Sequence, residues 1–263
     1  PYFTALLRFQ EYRERIILGL IVSVGGLTER LVVHSSKALF KELEFWENIS
    51  KQPMKNVNGQ IEFTETDVKT FCDTVLQVFD TNKRNDRITV PLFKFVERLL
   101  TSGHLDSILS DGSSKFPFEL FTLTKREVCG GAGLSPCNDP NKLMSAADVL
   151  CALLQSEEAM AKQKCLVQLS IFLCHKFPRI RKATASKLFE ALLTYPNILS
   201  PNGNCDDATV TEEEIEEKLD AINSILSDTT WDTTPVEDLR PLRNKLCDMM
   251  GVPAPALVKK HIL

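Results

Sequence analysis

Residues 177–193 read FPRIRKATASKLFEALL, and this stretch decides the fold class. It begins beside a proline, continues with an aliphatic–arginine pair and then places small residues where a neighbouring helix can approach closely. Ile180, Thr184, Leu188 and Leu192 recur every four residues, which is typical of the buried face of a helix. We therefore predict a packed amphipathic helix here.

Helical periodicity continues on both sides of this helix, and sustained strand-like alternation is found nowhere. The predicted helices have short breaks between them, which favours antiparallel neighbours. They cover residues 2–24 (one or two helices), 27–46, 64–79, 91–109, 117–128, 140–154, 157–175, 178–195, 212–226 and 235–250. The sequence therefore predicts an all-α protein.

Prolines suggest how these helices are organised. Pro91, Pro140, Pro178 and Pro235 are each expected at the first position of a helix, where a missing N–H costs little. Their intervals are irregular but compatible with the ~40–47 residues of HEAT and armadillo units. Residues 27–43 (LTERLVVHSSKALFKEL) are weakly similar to residues 177–193. We predict a HEAT/armadillo-like α-solenoid of antiparallel helix pairs, with a non-repeat helical bundle as the alternative.

The stretch at 177–193 resembles the second helix of a HEAT repeat, with one departure. Such repeats often carry an aspartate six residues before the arginine, and here that position, before Arg181, is His175. The usual aspartate–arginine pair is therefore not expected in this repeat. We expect His175 to be a cation near the carbonyl end of a helix.

Composition excludes several functions. The 263 residues carry a net charge of −4 and a pI near 5.7, whereas a nucleic-acid-binding domain is usually clearly basic. The longest apolar run, residues 16–24, has about nine residues against the ~20 of a membrane-spanning helix. No secretory signal is evident at the start. Because the chain begins at Pro1, we take it to be a piece of a longer polypeptide.

The positions of the cysteines and histidines do not indicate a disulfide, metal-binding or catalytic site. Cys72, Cys151, Cys165 and Cys247 lie in apolar helical stretches, which indicates buried reduced thiols in a cytoplasmic protein. The sequence has no CxxC and no HxxxH, so we predict no metal site and no bound cofactor. No nucleophile–base pattern is present either, and we predict no catalytic residue.

Two charged clusters are candidates for protein contacts. Arg179, Arg181 and Lys182 could meet an acidic partner; the alternative is a solvated helix face with an arginine packed between repeats. Residues 206–217 carry seven carboxylates, which suit either the start of a helix or a surface for a basic partner.

Three stretches together resemble one family, the tubulin-specific chaperone D or tubulin-folding cofactor D family. They are GLIVSVGGLTERLVVHSS (19–36), LCHKFPRIRKATASKLFEALLTY (173–195) and LSDTTWDTTPVEDLRPLRNKLCDMMGV (226–252). Their order and spacing are similar to the C-terminal region of that family, over most of this chain. Residues 129–142 and 200–211 depart from the resemblance and look like loop insertions.

The resemblance implies that residues 1–263 are a C-terminal helical-repeat domain from a longer chain. It implies a non-enzymatic role: binding β-tubulin, helping to assemble and disassemble the αβ-tubulin heterodimer, and stimulating GTP hydrolysis by tubulin together with partner cofactors. The implied partners are β-tubulin, the heterodimer, other tubulin-folding cofactors and a small ARF-like GTPase, in the cytoplasm at the cytoskeleton. The alternative is a generic HEAT-repeat scaffold or a transport adaptor that binds another protein.

Overall fold

A computed structural model describes residues 3–51, 68–130, 135–199 and 212–256. Across these residues the secondary structure is helical, with eleven α-helices and no strand. The α-helices are α1 (Gln10–Val24), α2 (Glu29–Lys51), α3 (Val68–Thr81), α4 (Asp86–Leu100), α5 (Asp106–Leu109), α6 (Phe116–Cys129), α7 (Pro140–Ala152), α8 (Ala159–Leu173), α9 (Pro178–Thr194), α10 (Glu212–Asp228) and α11 (Val236–Met249).

The chain divides into two compact units, Pro1–Cys137 and Asn138–Leu263. The boundary falls inside residues 129–142, one of the two segments interpreted above as loop insertions. The other segment, residues 200–211, lies outside the described residues. A single helical-repeat domain over 1–263 stays a prediction.

Helix α1 is the centre of the N-terminal unit, because α2, α3 and α4 all pack against it. Its buried residues include Ile17, Ile21 and Val24, each at most 1% exposed. The helix ends at Gly25, where the chain runs against the backbone of α4. A Cβ atom on Gly25 would lie 1.9 Å from the carbonyl oxygen of Pro91, so this contact requires a glycine.

A short 3-10 helix, Thr4–Arg8, is held to the unit by two arginines. The Arg8 Nε donates to Glu42 Oε1 at 2.5 Å, and the Trp46 indole N–H donates to the same oxygen at 2.9 Å. The buried Arg13 donates its Nε–H to the Leu7 carbonyl at 2.9 Å. Both arginines therefore tie this short helix to α1 and α2.

The turn between α3 and α4 is fixed by a buried carboxylate. Arg84 has a φ of 61°, a left-handed conformation that is uncommon outside glycine. Its backbone N–H donates to both carboxylate oxygens of Glu127 on α6, each at 3.1 Å. Glu127 is only 1% exposed, so this bond helps to satisfy a charge that would be costly to bury alone.

Prolines mark helix starts less consistently than the sequence predicts. Pro140 and Pro178 are the first residues of α7 and α9, as predicted, and Pro235 lies just before α11. The prediction for Pro91 is wrong, because α4 begins five residues earlier, at Asp86. Its first turn is held by the Asn85 carbonyl, which accepts from the N–H groups of residues 88 and 89 at 2.8 Å.

In the C-terminal unit, α7 packs against both α8 and α9. Helices α10 and α11 follow as a further pair, with α10 on α9 and α11 on α8. The Glu158 carboxylate caps α8 by accepting from the N–H groups of Met160 and Ala161. Gly251, with a φ of 67°, ends α11, and the Val252 N–H then reaches back to the Cys247 carbonyl at 2.9 Å.

These elements confirm the predicted fold class, an all-α protein of HEAT/armadillo-like helix pairs. The helix at 177–193 is present as α9, with Ile180, Thr184, Leu188 and Leu192 all buried. No disulfide is formed among the described cysteines, and the four that were expected to be buried are buried.

We predict opposite effects for two glycine-to-alanine substitutions at α1. Gly25→Ala should lower the free energy of unfolding by about 1–3 kcal/mol, because the new methyl group overlaps the Pro91 carbonyl. Gly19→Ala should raise it by about 0.5–1 kcal/mol, because Gly19 lies within the helix and has open space around it. Thermal unfolding followed by circular dichroism measures both. Equal melting temperatures for the two variants would contradict the close contact at Gly25.

Candidate interaction surfaces

The three basic residues predicted to bind a partner lie in the first turns of α9, in three different environments. Arg181 is buried, at 5% exposure. Its Nε–H donates to the Trp231 carbonyl at 2.7 Å, and Nη2 donates to the carbonyls of Asp232 and Thr234 at 3.1 and 3.2 Å. The guanidinium therefore binds the loop between α10 and α11.

The fourth bond of Arg181 concerns the position where a HEAT repeat often has aspartate. Its Nη1 donates to the backbone carbonyl of His175 at 3.1 Å. A backbone carbonyl, available from any residue type, thus accepts a hydrogen bond from the arginine at the position where a HEAT repeat often carries an aspartate side chain. The geometry agrees with the alternative interpretation of an arginine packed inside the fold.

Lys182 and Arg179 lie on the solvent-facing side of α9. Lys182 is exposed and forms an ion pair with Asp232 at 3.0 Å, so the same loop is contacted twice from neighbouring residues. Arg179 is also exposed, and in the described part of the chain no ion pair or hydrogen bond of its side chain is found. Binding of a partner by Arg179, Arg181 and Lys182 stays a prediction.

His175 is neutral rather than the helix-end cation expected from the sequence. Burial, together with the nearby charges of Lys176 and Arg181, lowers its pKa below the ordinary 6.5. Its Nδ1 accepts a hydrogen bond from the Phe177 N–H at 3.2 Å, which only an unprotonated nitrogen can do. The expectation of a cation is wrong, since this side chain stabilises the start of α9 as an acceptor.

The N-terminal unit contains a groove between α1 and α2, with a volume of about 690 Å³. We call it the basic groove, because its lining includes Arg15, Lys37 and Lys41 and, among the described residues, no carboxylate. Apolar groups, among them Ile16 and the 73% exposed Phe3, contribute most of the remaining lining. Such a combination suits a partner that is both acidic and partly apolar.

A second groove in the same unit has the opposite charge. It lies between α3 and α6, has a volume of about 550 Å³, and includes Asp73, Asp80 and Glu119 beside Leu76 and Phe118. Asp80 forms an ion pair with Arg126, which lowers the pKa of this carboxyl group.

Sequence reasoning missed both grooves. For the basic groove the sequence did contain one indication. Lys37 and Lys41, in the stretch at 27–43 that resembles residues 177–193, are one helical turn apart and therefore lie on one side of a helix. The acidic run at 206–217 is only partly described: its residues from Glu212 onward form the start of α10. Within the described ranges no cluster of three or more histidine, cysteine or carboxylate groups is placed to hold a metal ion. None of the described helices is long and apolar enough to cross a bilayer.

The fold and these surfaces define a class of protein: an all-α helical-repeat protein with exposed, oppositely charged grooves suited to protein partners. The family model described as tubulin folding cofactor D C terminal matches residues 1–133, about half of the chain. The chain belongs to this family, which confirms the resemblance seen in the sequence. No solved structure matches the chain. A role in tubulin folding in general follows from the family.

We predict that Arg181 and Arg179 differ sharply in their effect on stability. Arg181→Ala leaves four carbonyls without their donor and should lower the free energy of unfolding by about 3 kcal/mol or more. Arg179→Ala, on the exposed side of the same turn, should change it by less than about 0.5 kcal/mol. Urea unfolding followed by circular dichroism compares them. Similar midpoints for both variants would show that the Arg181 bonds contribute nothing.

We also predict a pH effect on stability that originates at His175. Its folded-state pKa is lowered, so the unfolded chain takes up the proton first as the pH falls. The stability should therefore decrease as the pH drops through about 6.5 and level off below the folded-state pKa. His175→Asn keeps an acceptor without a titrating group, so it should reduce this dependence. Melting temperatures of the wild-type chain and of His175→Asn between pH 7.5 and 5.0 test this prediction. Identical pH profiles for the two would show that the pH effect does not originate at His175.

Proposed function

We propose that this chain is a non-enzymatic part of a tubulin-folding cofactor, a helical-repeat scaffold that binds β-tubulin and helps to assemble and disassemble the αβ-tubulin heterodimer. The observation that carries the proposal is the family match over residues 1–133. The exposed grooves of the N-terminal unit, which lies within nearly the same residues, support it as surfaces for a protein partner.

The mechanism follows from how a scaffold acts on a bound protein. Contacts spread over helical surfaces favour the tubulin conformation that fits them best, so binding energy shifts tubulin toward its assembly-competent state. Stimulation of GTP hydrolysis then occurs in tubulin, together with partner cofactors, and the scaffold regulates it without supplying a catalytic group. Other tubulin-folding cofactors and a small ARF-like GTPase are further proposed partners, and the cytoplasm, at the cytoskeleton, is the proposed location.

We predict that the chain co-elutes with purified αβ-tubulin in size-exclusion chromatography. A parallel run with the ARF-like GTPase tests the second partner. Both runs are done at low and high salt, because contacts between exposed charges weaken as salt screens them. Co-elution that decreases at high salt supports the proposal.

Variants at α9 test whether the predicted basic residues take part. Arg179→Ala combined with Lys182→Ala should reduce co-elution, while Lys83→Ala combined with Arg87→Ala, an exposed basic pair in the N-terminal unit, should not. If the wild-type chain is helical by circular dichroism yet elutes alone in both runs, the proposal of direct binding is wrong. Binding to the GTPase alone would instead favour a regulatory segment or a generic adaptor.

A further inference from the structure

We propose that the basic groove between α1 and α2 is a docking site for an acidic peptide segment that carries one apolar anchor residue. The inference rests on the proposed function in one respect, because it takes the chain to be a protein-binding scaffold. It adds the chemistry of the segment that would be bound and the residues that would bind it.

The charges of the groove are available to a ligand. Arg15, Lys37 and Lys41 are exposed, and their side chains form no ion pair or hydrogen bond within the described ranges. By contrast, two other arginines of the same unit are engaged: Arg8 pairs with Glu42, and Arg126 pairs with Asp80. Three cations around one recess, whose described lining residues include no carboxylate, are complementary to an acidic ligand.

The floor of the groove provides a place for an apolar side chain. Gly19 lies on the exposed side of α1, and a Cβ built on it would meet no heavy atom within 4 Å. Ile16, Leu20 and Ala38 contribute apolar groups to the lining of the same groove. An apolar anchor would bury surface here that is now in contact with water, which is the main favourable term in such binding.

The spacing of the lysines matches that of carboxylates on a peptide. Lys37 and Lys41 are one helical turn apart, which places them about 6 Å apart along α2. Alternate side chains of an extended peptide are about 6.6–6.8 Å apart, so two carboxylates on one side of the peptide fit the two lysines. Arg15, on the facing helix, is placed for a third carboxylate.

An anionic membrane surface is the main rival ligand, and the structure favours the peptide. The cations line a recess between two helices, whereas a bilayer would have to meet a protruding surface. Glu11 and Glu14 on α1 and Glu44 on α2 also lie close in sequence to these cations without lining the groove. All three are exposed, so a broad anionic bilayer covering both helices would be repelled by them, whereas the lining that a peptide contacts contains none of them.

The test uses the whole chain and a defined probe: a fluorescein-labelled dodecapeptide of glutamates with one central phenylalanine. Fluorescence anisotropy should show saturable binding that weakens at high salt. A peptide with lysine in place of glutamate should not bind, and replacing the phenylalanine by serine should weaken binding.

Variants of the chain locate the site. Lys37→Glu with Lys41→Glu should weaken binding about tenfold or more, since two attractive pairs become repulsive. Gly19→Leu should weaken it similarly by filling the floor, and leucine also favours the helix more than glycine does. Lys83→Glu with Arg87→Glu makes the same change in net charge outside the groove and should leave affinity within about twofold of wild type. Circular dichroism confirms that each variant is folded.

Several results would overturn the inference: no saturable binding, equal loss in the groove and control variants, or binding to phosphatidylserine vesicles without binding to the peptide. Co-elution of the wild-type chain with tubulin separates this inference from the proposed function. Tubulin binding without peptide binding leaves the proposed function standing and refutes the docking site. Peptide binding without tubulin binding supports the docking site and refutes the proposed direct binding of tubulin.

Discussion

The C-terminal unit depends on the hydrogen bonds of one buried guanidinium. Arg181 carries a charge that could not be buried without partners, and its bonds reach four backbone carbonyls, three of them about fifty residues away in sequence. The start of α9 and the loop between α10 and α11 are therefore positioned by the same group. Arg13 serves a similar purpose in the N-terminal unit, where it holds the Leu7 carbonyl. In both units an arginine side chain thus donates to backbone carbonyls of a neighbouring segment.

The helices were predictable because the sequence features that specify a helix lie within the helix itself and beside its ends. The four-residue periodicity of α9 and the proline at its start are visible in seventeen consecutive residues, and the structure has the helix there. The prediction that Pro91 begins a helix was wrong because of a tertiary contact. The Pro91 carbonyl faces Gly25, the residue that follows α1, and α4 runs through the proline with the fully buried Thr89 before it. The burial of Thr89, together with the bonds of residues 88 and 89 to the Asn85 carbonyl, thus sets the start of α4 before the proline.

The surfaces were harder to foresee, because neither their shape nor the state of their charges is local. The basic groove forms only when α1 and α2 meet, and the sequence does not show that Arg8 is paired while Arg15 remains free. The same limit applies to α9, where Arg179, Arg181 and Lys182 look equivalent in sequence. Arg179 is exposed, and Arg181 is buried and donates to backbone carbonyls. Lys182 is exposed and forms an ion pair with Asp232. The protonation of His175 was likewise decided by a neighbouring N–H group.

The two tryptophans of the chain divide between the two units, and this has a practical consequence. Trp46 lies in the core of the N-terminal unit at 1% exposure, and Trp231 lies in that of the C-terminal unit at 3%. Each indole N–H is bonded within its own unit, to Glu42 and to the Leu226 carbonyl respectively. Each unit thus contains a single tryptophan, and that tryptophan is buried. A pair of phenylalanine replacements, made one at a time, would let emission spectra follow the opening of one unit while the other stays silent.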